Sequence, residues 1–251
     1  LVLNAGSSSL KFALYEVDDG ALRIRGQIEG VGAEPRLVAR AGDGAVLADA
    51  SLESRAGDLG GALATLLEWL EARRPDERPA AVGHRVVHGG ESFSRPTRVT
   101  PAVLEELRAL GPLAPLHQPH NLAGIEAALA GMPGVPQVAC FDTAFHHEAP
   151  PVARTVPLPK AIRDRGVRRY GFHGLSYEYV AGVLPQVAPD AARGRVIVAH
   201  LGNGASLCAL SGGRSVDYTL GFTALDGLCM GTRPGALDPG IVLWLFQELG
   251  L

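Results

Sequence analysis

The chain opens on LVLNAGSSSLKFALY, two apolar runs separated by a turn of small and polar residues. This pattern predicts a β-hairpin, with strands over Leu1 to Asn4 and Leu10 to Val17 and with Gly6 permitting a tight turn between them. Strand side chains alternate, so Ser7, Ser9 and Lys11 are expected on one face while Leu10, Phe12 and Leu14 face a core. Serine hydroxyls, an ammonium and the N–H groups of the turn then share one surface, a donor set suited to phosphate oxygens. An ordinary Gly/Ser turn with a solvated lysine uses the same residues, and the segment alone allows both readings.

Downstream, the elements alternate. A third strand is read at Ala21 to Ile28 and a helix around Asp58 to Ala72, where Leu59, Leu63, Leu66, Leu67 and Leu70 recur at helical spacing and Pro75 lies beyond the end. A strand follows over Ala80 to Val87. Thr100-Pro101 reads as an N-cap and first-turn proline opening a helix through Leu110. A further helix is expected over Asn121 to Ala130, then a strand over Gln137 to Phe141. Three strands followed by alternating helices and strands predict an α/β domain with a mixed sheet, assigned to residues 1–148. A second α/β unit, residues 149–251, has strands at Gly194 to Leu201 and Ala205 to Leu210.

Composition narrows the function classes. A net charge of −3 gives no basic footprint for nucleic acid. The apolar runs are too short to span a bilayer as helices. Three cysteines, Cys140, Cys208 and Cys229, are odd in number and lack paired spacing, so neither a disulfide framework nor a zinc site is indicated, and a cytoplasmic compartment fits. The sequence starts inside a strand without a methionine and ends on an amphipathic helix, Gly240 to Leu251, with nothing after it to pack against. Both ends lead us to expect a fragment of a longer chain.

Several segments carry candidate chemistry. Strand, Gly202-Asn203-Gly204 turn and strand repeat the opening pattern, and Asn-Gly between apolar runs is a strong hairpin signal with or without a function. In Gly83 to Glu91 (GHRVVHGGE), alternation places Arg85 with Val87, opposite His84, Val86 and His88. A guanidinium beside a small apolar surface suits a short carboxylate, although an ordinary ion pair also fits. Asp142 ends an apolar strand, where open α/β sheets bind ligands and where capping acids also occur. His173 lies in a glycine-flanked loop before a helix, and Arg233 in a loop rich in Gly and Pro. His117, His120, His146 and His147 show no metal-ligand spacing.

Seven segments, NAGSSSLKF, GHRVVHGGE, PLHQPHN, FDTAFH, YGFHGLSY, HLGNGAS and MGTRPGALDPG, resemble the acetate kinase family in its own order across the whole chain. The resemblance implies an actin-like fold of two ribonuclease-H-like domains around a cleft, with a phosphate-binding hairpin from each. It also implies reversible transfer of the ATP γ-phosphate to acetate, giving ADP and acetyl phosphate, with Mg²⁺ or Mn²⁺. Carried onto this sequence, Asn4, Ser7, Ser9 and Lys11 form the first hairpin and His200, Gly202, Asn203 and Gly204 the second. Arg85 and Arg233 flank the transferring group, and His173 donates to it. Asp142 and Asn4 are implied at the metal, while Val87, Leu116, Phe172 and Ala224 line the acyl pocket.

Ala224 and Pro234 depart from the family's usual proline and serine, and Ala224 is expected to loosen the pocket toward propionate. Family members extend well beyond residue 251, where the resemblance implies an adenosine pocket, a second acidic residue for the metal and much of a homodimer interface. A 251-residue molecule alone is accordingly expected to have negligible kinase activity. A carboxylate nucleophile is already ionised, so no general base is required. Two alternatives of other kinds remain. A sugar kinase of the same fold would need an aspartate over a hydroxyl, and a non-catalytic nucleotide-binding module would not need Arg85, His173 and Arg233 together.

Overall fold

The computed structural model describes residues 1–52, 56–73 and 78–251. Pro75, the expected stop of the first helix, lies outside the described residues. The chain divides into two compact units, Leu1–Gly89 with Arg95–Phe141, and Gly90–Ser94 with Asp142–Leu251.

The first unit begins with an antiparallel meander of five strands, β1 (Val2–Ala5), β2 (Ser9–Tyr15), β3 (Leu22–Glu29), β4 (Arg36–Ala41) and β5 (Val46–Ser51). Helix α1 (Leu59–Arg73) leads to β6 (Val82–Val86) and β7 (Thr97–Arg98). Helices α2 (Pro101–Ala109) and α3 (Gln118–Gly131) precede β8 (Gln137–Phe141). The sheet order is β5-β4-β3-β2-β1-β6-β8-β7, with β6 parallel to β1 and to β8. Three opening strands were expected and five are present. Arg36, Arg40 and Asp49 weaken the apolar pattern of the last two, which are held by pairing with β3 and by the Arg36–Asp49 ion pair at 2.6 Å.

The core forms where the apolar stripe of α1 (Leu63, Leu66, Leu70) meets Leu3, Leu10, Phe12, Ile24 and Ile28 from the meander. Two helix starts read from the sequence are capped, whereas α3 begins at Gln118, three residues before the Asn121 that was expected. Asp58 Oδ1 accepts from the N–H of Gly61 at 2.7 Å, and Thr100 Oγ1 accepts from Val103 at 3.3 Å. Helix α3 runs close under β1 because Gly124 has no side chain, and a Cβ there would fall 2.7 Å from that of Ala5. This proximity lets the buried Asn121 serve two strand ends. Its Nδ2 donates to Ala5 O at 2.8 Å, and its Oδ1 accepts from Val87 N at 2.9 Å.

The second unit contains α4 (Pro151–Arg154), α5 (Lys160–Arg163), α6 (Gly174–Val187) and α7 (Pro189–Ala192). These are followed by the antiparallel strands β9 (Arg195–Leu201), β10 (Ala205–Ser211) and β11 (Arg214–Tyr218), and by α8 (Pro239–Leu249). Tyr177 of α6 packs with Cys208 and Leu210 of β10. No residue of α8 is buried.

Three histidines are interior. His84 Nε2 meets Gln137 Oε1 at 2.7 Å, and because Gln137 Nε2 donates to Val135 O, the histidine is the donor. Burial pushes His88 and His146 down to about 4. Both are neutral in the fold and take up protons on unfolding below about pH 6.5, so the unfolded state binds more protons there.

Two outcomes are expected. Thermal melts lose stability as pH falls from about 6.5 toward 4, and His146→Gln flattens part of that slope. Asn121→Leu strands two buried backbone groups and costs about 2–4 kcal/mol in urea unfolding, whereas a value below about 1 kcal/mol would contradict the clamp.

Candidate active site

In the first unit three neighbouring strands align the candidate polar residues. Asn4 on β1 is opposite Lys11 on β2, and the β1–β6 register, with Leu3 level with His84, brings Arg85 beside Asn4. Arg85 Nη1 donates to Asn4 Oδ1 at 3.3 Å. An ammonium, an amide and a guanidinium therefore form one row on one face of the sheet, while Leu10 and Phe12 on the other face are in the core. The hairpin closes by Gly6 N to Ser9 O at 2.8 Å.

Several readings of this hairpin need correction. Gly6 is outside the left-handed region, so the turn does not use the freedom for which the glycine was read. Ser7 is exposed in the turn and not on β2, so strand alternation does not set its direction; Ser9 is half-buried at the start of the strand. Likewise β6 ends at Val86. Val87 was paired with Arg85 by alternation, but it lies past the strand, buried, with its N–H held by Asn121. Leu116 is 72% exposed, an environment opposite to that of Val87.

In the second unit Asp142 directly follows the last residue of β8 and is 2% exposed. Its carbonyl accepts from Gly174 N at 2.8 Å, and a Cβ on Gly174 would run into that oxygen. Between these points the chain makes a sharp entry into α6. His173, the N-cap, has φ 59° and ψ 19°, and it is the one non-glycine residue among those described with a positive φ. Such a conformation costs about 1–3 kcal/mol and persists only where its surroundings enforce it.

The enforcement comes largely from His146. Its Nε2 lies 3.0 Å from the carbonyl of the buried Phe172 and must donate to it, which leaves Nδ1 to accept from Ser215 Oγ at 2.8 Å. The His146 ring lies 4.4 Å from that of Tyr218. Gly171, at φ +74°, fits flush against the imidazole, where a Cβ would meet ring carbons at 2.5 Å.

His173 is held in turn by its neighbours. Its ring stacks on His200 of β9 at 4.1 Å and 24°, and its Nδ1 lies 2.8 Å from Ser206 Oγ of β10. His200 Nδ1 lies 3.0 Å from Ser176 Oγ. The β9–β10 hairpin forms as read, closed by Gly202 N to Gly204 O at 3.1 Å, with Gly202 and Asn203 exposed at its tip. None of its three turn residues is left-handed, so it lacks the usual geometry of a two-residue Asn-Gly turn. Arg233 Nη1 donates to Ala224 O at 3.0 Å. Met230 Sδ, three residues earlier, accepts from Ala205 N at 3.3 Å.

The result is a convergence on Gly204. A Cβ at this position would lie 3.2 Å from both His173 Nε2 and Arg233 Nη1. An imidazole nitrogen and a guanidinium thus meet over a bare stretch of backbone, an arrangement able to bind an anion. The second unit brings together His173, His200, Gly204, Arg233 and Ala224. Sequence reading missed Ser206, Tyr177, Ser176, Met230 and the structural role of His146, because lone hydroxyls and a thioether carry no spacing signal. Ala224 was read as a pocket side chain, and its carbonyl also fixes the arginine.

Among the described residues no group of three or more His, Cys, Asp or Glu side chains could hold a metal. The Asp142 carboxylate and Asn4 amide oxygen are hard donors of the kind Mg²⁺ accepts when phosphate oxygens and water complete its shell. A carboxylate is the stronger donor of the two for a divalent cation, so Asp142 fits the ion better.

The whole chain, residues 1–251, matches the model of the Acetokinase family. It is 55% identical to an acetate kinase of Rhodopseudomonas palustris over 99% of this chain and 63% of that protein. A propionate kinase structure from Francisella tularensis superposes with a TM-score of 0.92 at 38% identity, and a Porphyromonas gingivalis acetate kinase structure with 0.87 at 39%. Each structural match covers 100% of this chain and 64% of the other. The chain therefore spans somewhat under two thirds of the length of these relatives, and it shares the mixed α/β, actin-like fold of these kinases. With its model matched over residues 1–251 and a relative at 55% identity, this chain belongs to the acetokinase family.

Proposed function

We propose that this protein is an acetate kinase, transferring the γ-phosphoryl group of ATP reversibly to acetate. The observation that carries this reading is the convergence of His173 Nε2 and Arg233 Nη1 on Gly204. Phosphoryl transfer depends mainly on alignment and neutralisation of charge, and these groups supply both. An acetate oxygen attacks the γ-phosphorus, the bond to the β–γ bridging oxygen breaks, and ADP leaves with that oxygen. The acetate carboxylate is ionised at neutral pH, so no residue has to remove a proton.

In this reading Arg233 and Arg85 balance charge on the phosphoryl oxygens, and His173 donates a hydrogen bond to one of them. Asn4 orients Arg85 through their hydrogen bond. Ser7, Ser9 and Lys11 in one unit, and His200, Gly202, Asn203 and Gly204 in the other, bind nucleotide phosphates. Asp142 is the protein ligand of Mg²⁺ or Mn²⁺, which when bound offsets phosphate charge. Phe172 and Val87, both buried, and Leu116 are assigned to the acyl methyl.

A propionate kinase is the second reading. It is favoured by Ala224, where the family usually has proline, and by the 44% identity to a propionate kinase of Enterobacter. A cytoplasmic homodimer completes the proposal. No described helix is long and apolar enough to cross a membrane, no disulfide joins cysteines among the described residues, and α8 exposes Leu243, Trp244 and Phe246.

The assignment is tested by trapping acyl phosphate as the hydroxamate from ATP, Mg²⁺ and short carboxylates, using the gene product at its full encoded length. Acetate is expected to give product, with propionate within about two-hundredfold in kcat/KM, since one methylene is worth only about 1–3 kcal/mol. No product from any acid would favour a non-catalytic nucleotide-binding protein. Gly204→Ala forces His173 or Arg233 aside by a few tenths of an ångström and should lower kcat by about tenfold. The backbone there is ordinary, so the thermal midpoint should hold, and unchanged kcat would remove Gly204 from the site.

A further inference from the structure

Behind His173 lies a buried pair of hydroxyls whose protons can be counted. Ser206 is 1% exposed and Tyr177 is 0% exposed. Tyr177 Oη and Ser206 Oγ are hydrogen-bonded to each other, and Ser206 Oγ is 2.8 Å from His173 Nδ1. Burial pushes the Tyr177 phenol up to about 12, so it keeps its proton at any working pH. Among the described residues its one side-chain partner is Ser206 Oγ, and the backbone N–H of His200 favours an acceptor role for the phenol oxygen. A buried O–H left without an acceptor is strongly unfavourable. The phenol proton therefore goes to Ser206.

A serine hydroxyl has one proton of its own. With Tyr177 donating to its oxygen, that proton points to His173 Nδ1, which must then be the unprotonated nitrogen. We propose that Tyr177 and Ser206 are positioning residues that fix His173 as the Nε2–H tautomer, directing its N–H toward Gly204 and Arg233. Stacking on His200 fixes the plane of the ring, and the two hydroxyls decide which nitrogen carries the proton. The catalytic consequence rests on the kinase reading above, because only a donor at Nε2 can bond to a phosphoryl oxygen. The tautomer itself does not depend on that reading.

Two-bond ¹H–¹⁵N correlation spectra of the protein at about pH 8, above the ordinary histidine range, report the tautomer directly. The His173 signals are assigned by their loss in His173→Asn. The expected result is protonated Nε2 and bare Nδ1. Ser206→Ala should mix the tautomers and lower kcat by about tenfold or more, with KM for ATP changed less than about twofold. Tyr177→Phe, which leaves Ser206 its proton but not its orienting donor, should fall between that variant and the native protein. A native Nδ1–H tautomer, a doubly protonated ring, or an unchanged tautomer in Ser206→Ala overturns the relay. A native Nε2–H tautomer without any acyl phosphate formation keeps the relay and rejects the kinase reading instead.

Discussion

Buried backbone polar groups must find partners, and in each unit one buried side chain meets that need where regular structure stops and the candidate site begins. Asn121 joins the carbonyl at the end of β1 to the N–H just past β6. His146 joins the Phe172 carbonyl to Ser215. Without the first, the strands carrying Asn4 and Arg85 lose their common anchor to α3. Without the second, the loop carrying His173 loses its attachment to β11.

The two anchors differ in what they hold in place. Asn121 supports unstrained strands, whose register alone aligns Lys11, Asn4 and Arg85. His146 supports a strained turn, with Gly171 and His173 both in the left-handed region and Gly174 pressed against the Asp142 carbonyl. Three consecutive demands of this kind require glycine, a histidine in an unfavourable conformation, and glycine again. Strain concentrated beside a convergent imidazole and guanidinium is typical of a functional site.

Much of the fold was legible because it rests on periodicity. The leucine stripe of α1, the Thr100-Pro101 helix start and strand β8 appear where the pattern placed them. Strands β4 and β5 were not read because their charged residues mask the alternation and only pairing with β3 makes them strands. Among the candidate residues, Arg85, His173 and Arg233 stood out through their glycine-rich settings. Ser206 and Tyr177 did not, since 29 residues separate two hydroxyls that become neighbours only when α6 packs on the β9–β10 hairpin.

The sequence by itself determined the alternation of strands and helices, the two Gly/Asn/Ser hairpins, the family and the set of charged groups available for phosphate chemistry. These depend on local pattern and on residue identity, which survive without coordinates. Only the tertiary structure decided that Arg85 bonds Asn4, that His173 and Arg233 meet over Gly204, and that His146 is a structural anchor. It also showed that Gly6 and Asn203 turn without left-handed backbone. Each of these is a distance or a dihedral angle set by packing between segments remote in the chain, and no local pattern encodes it.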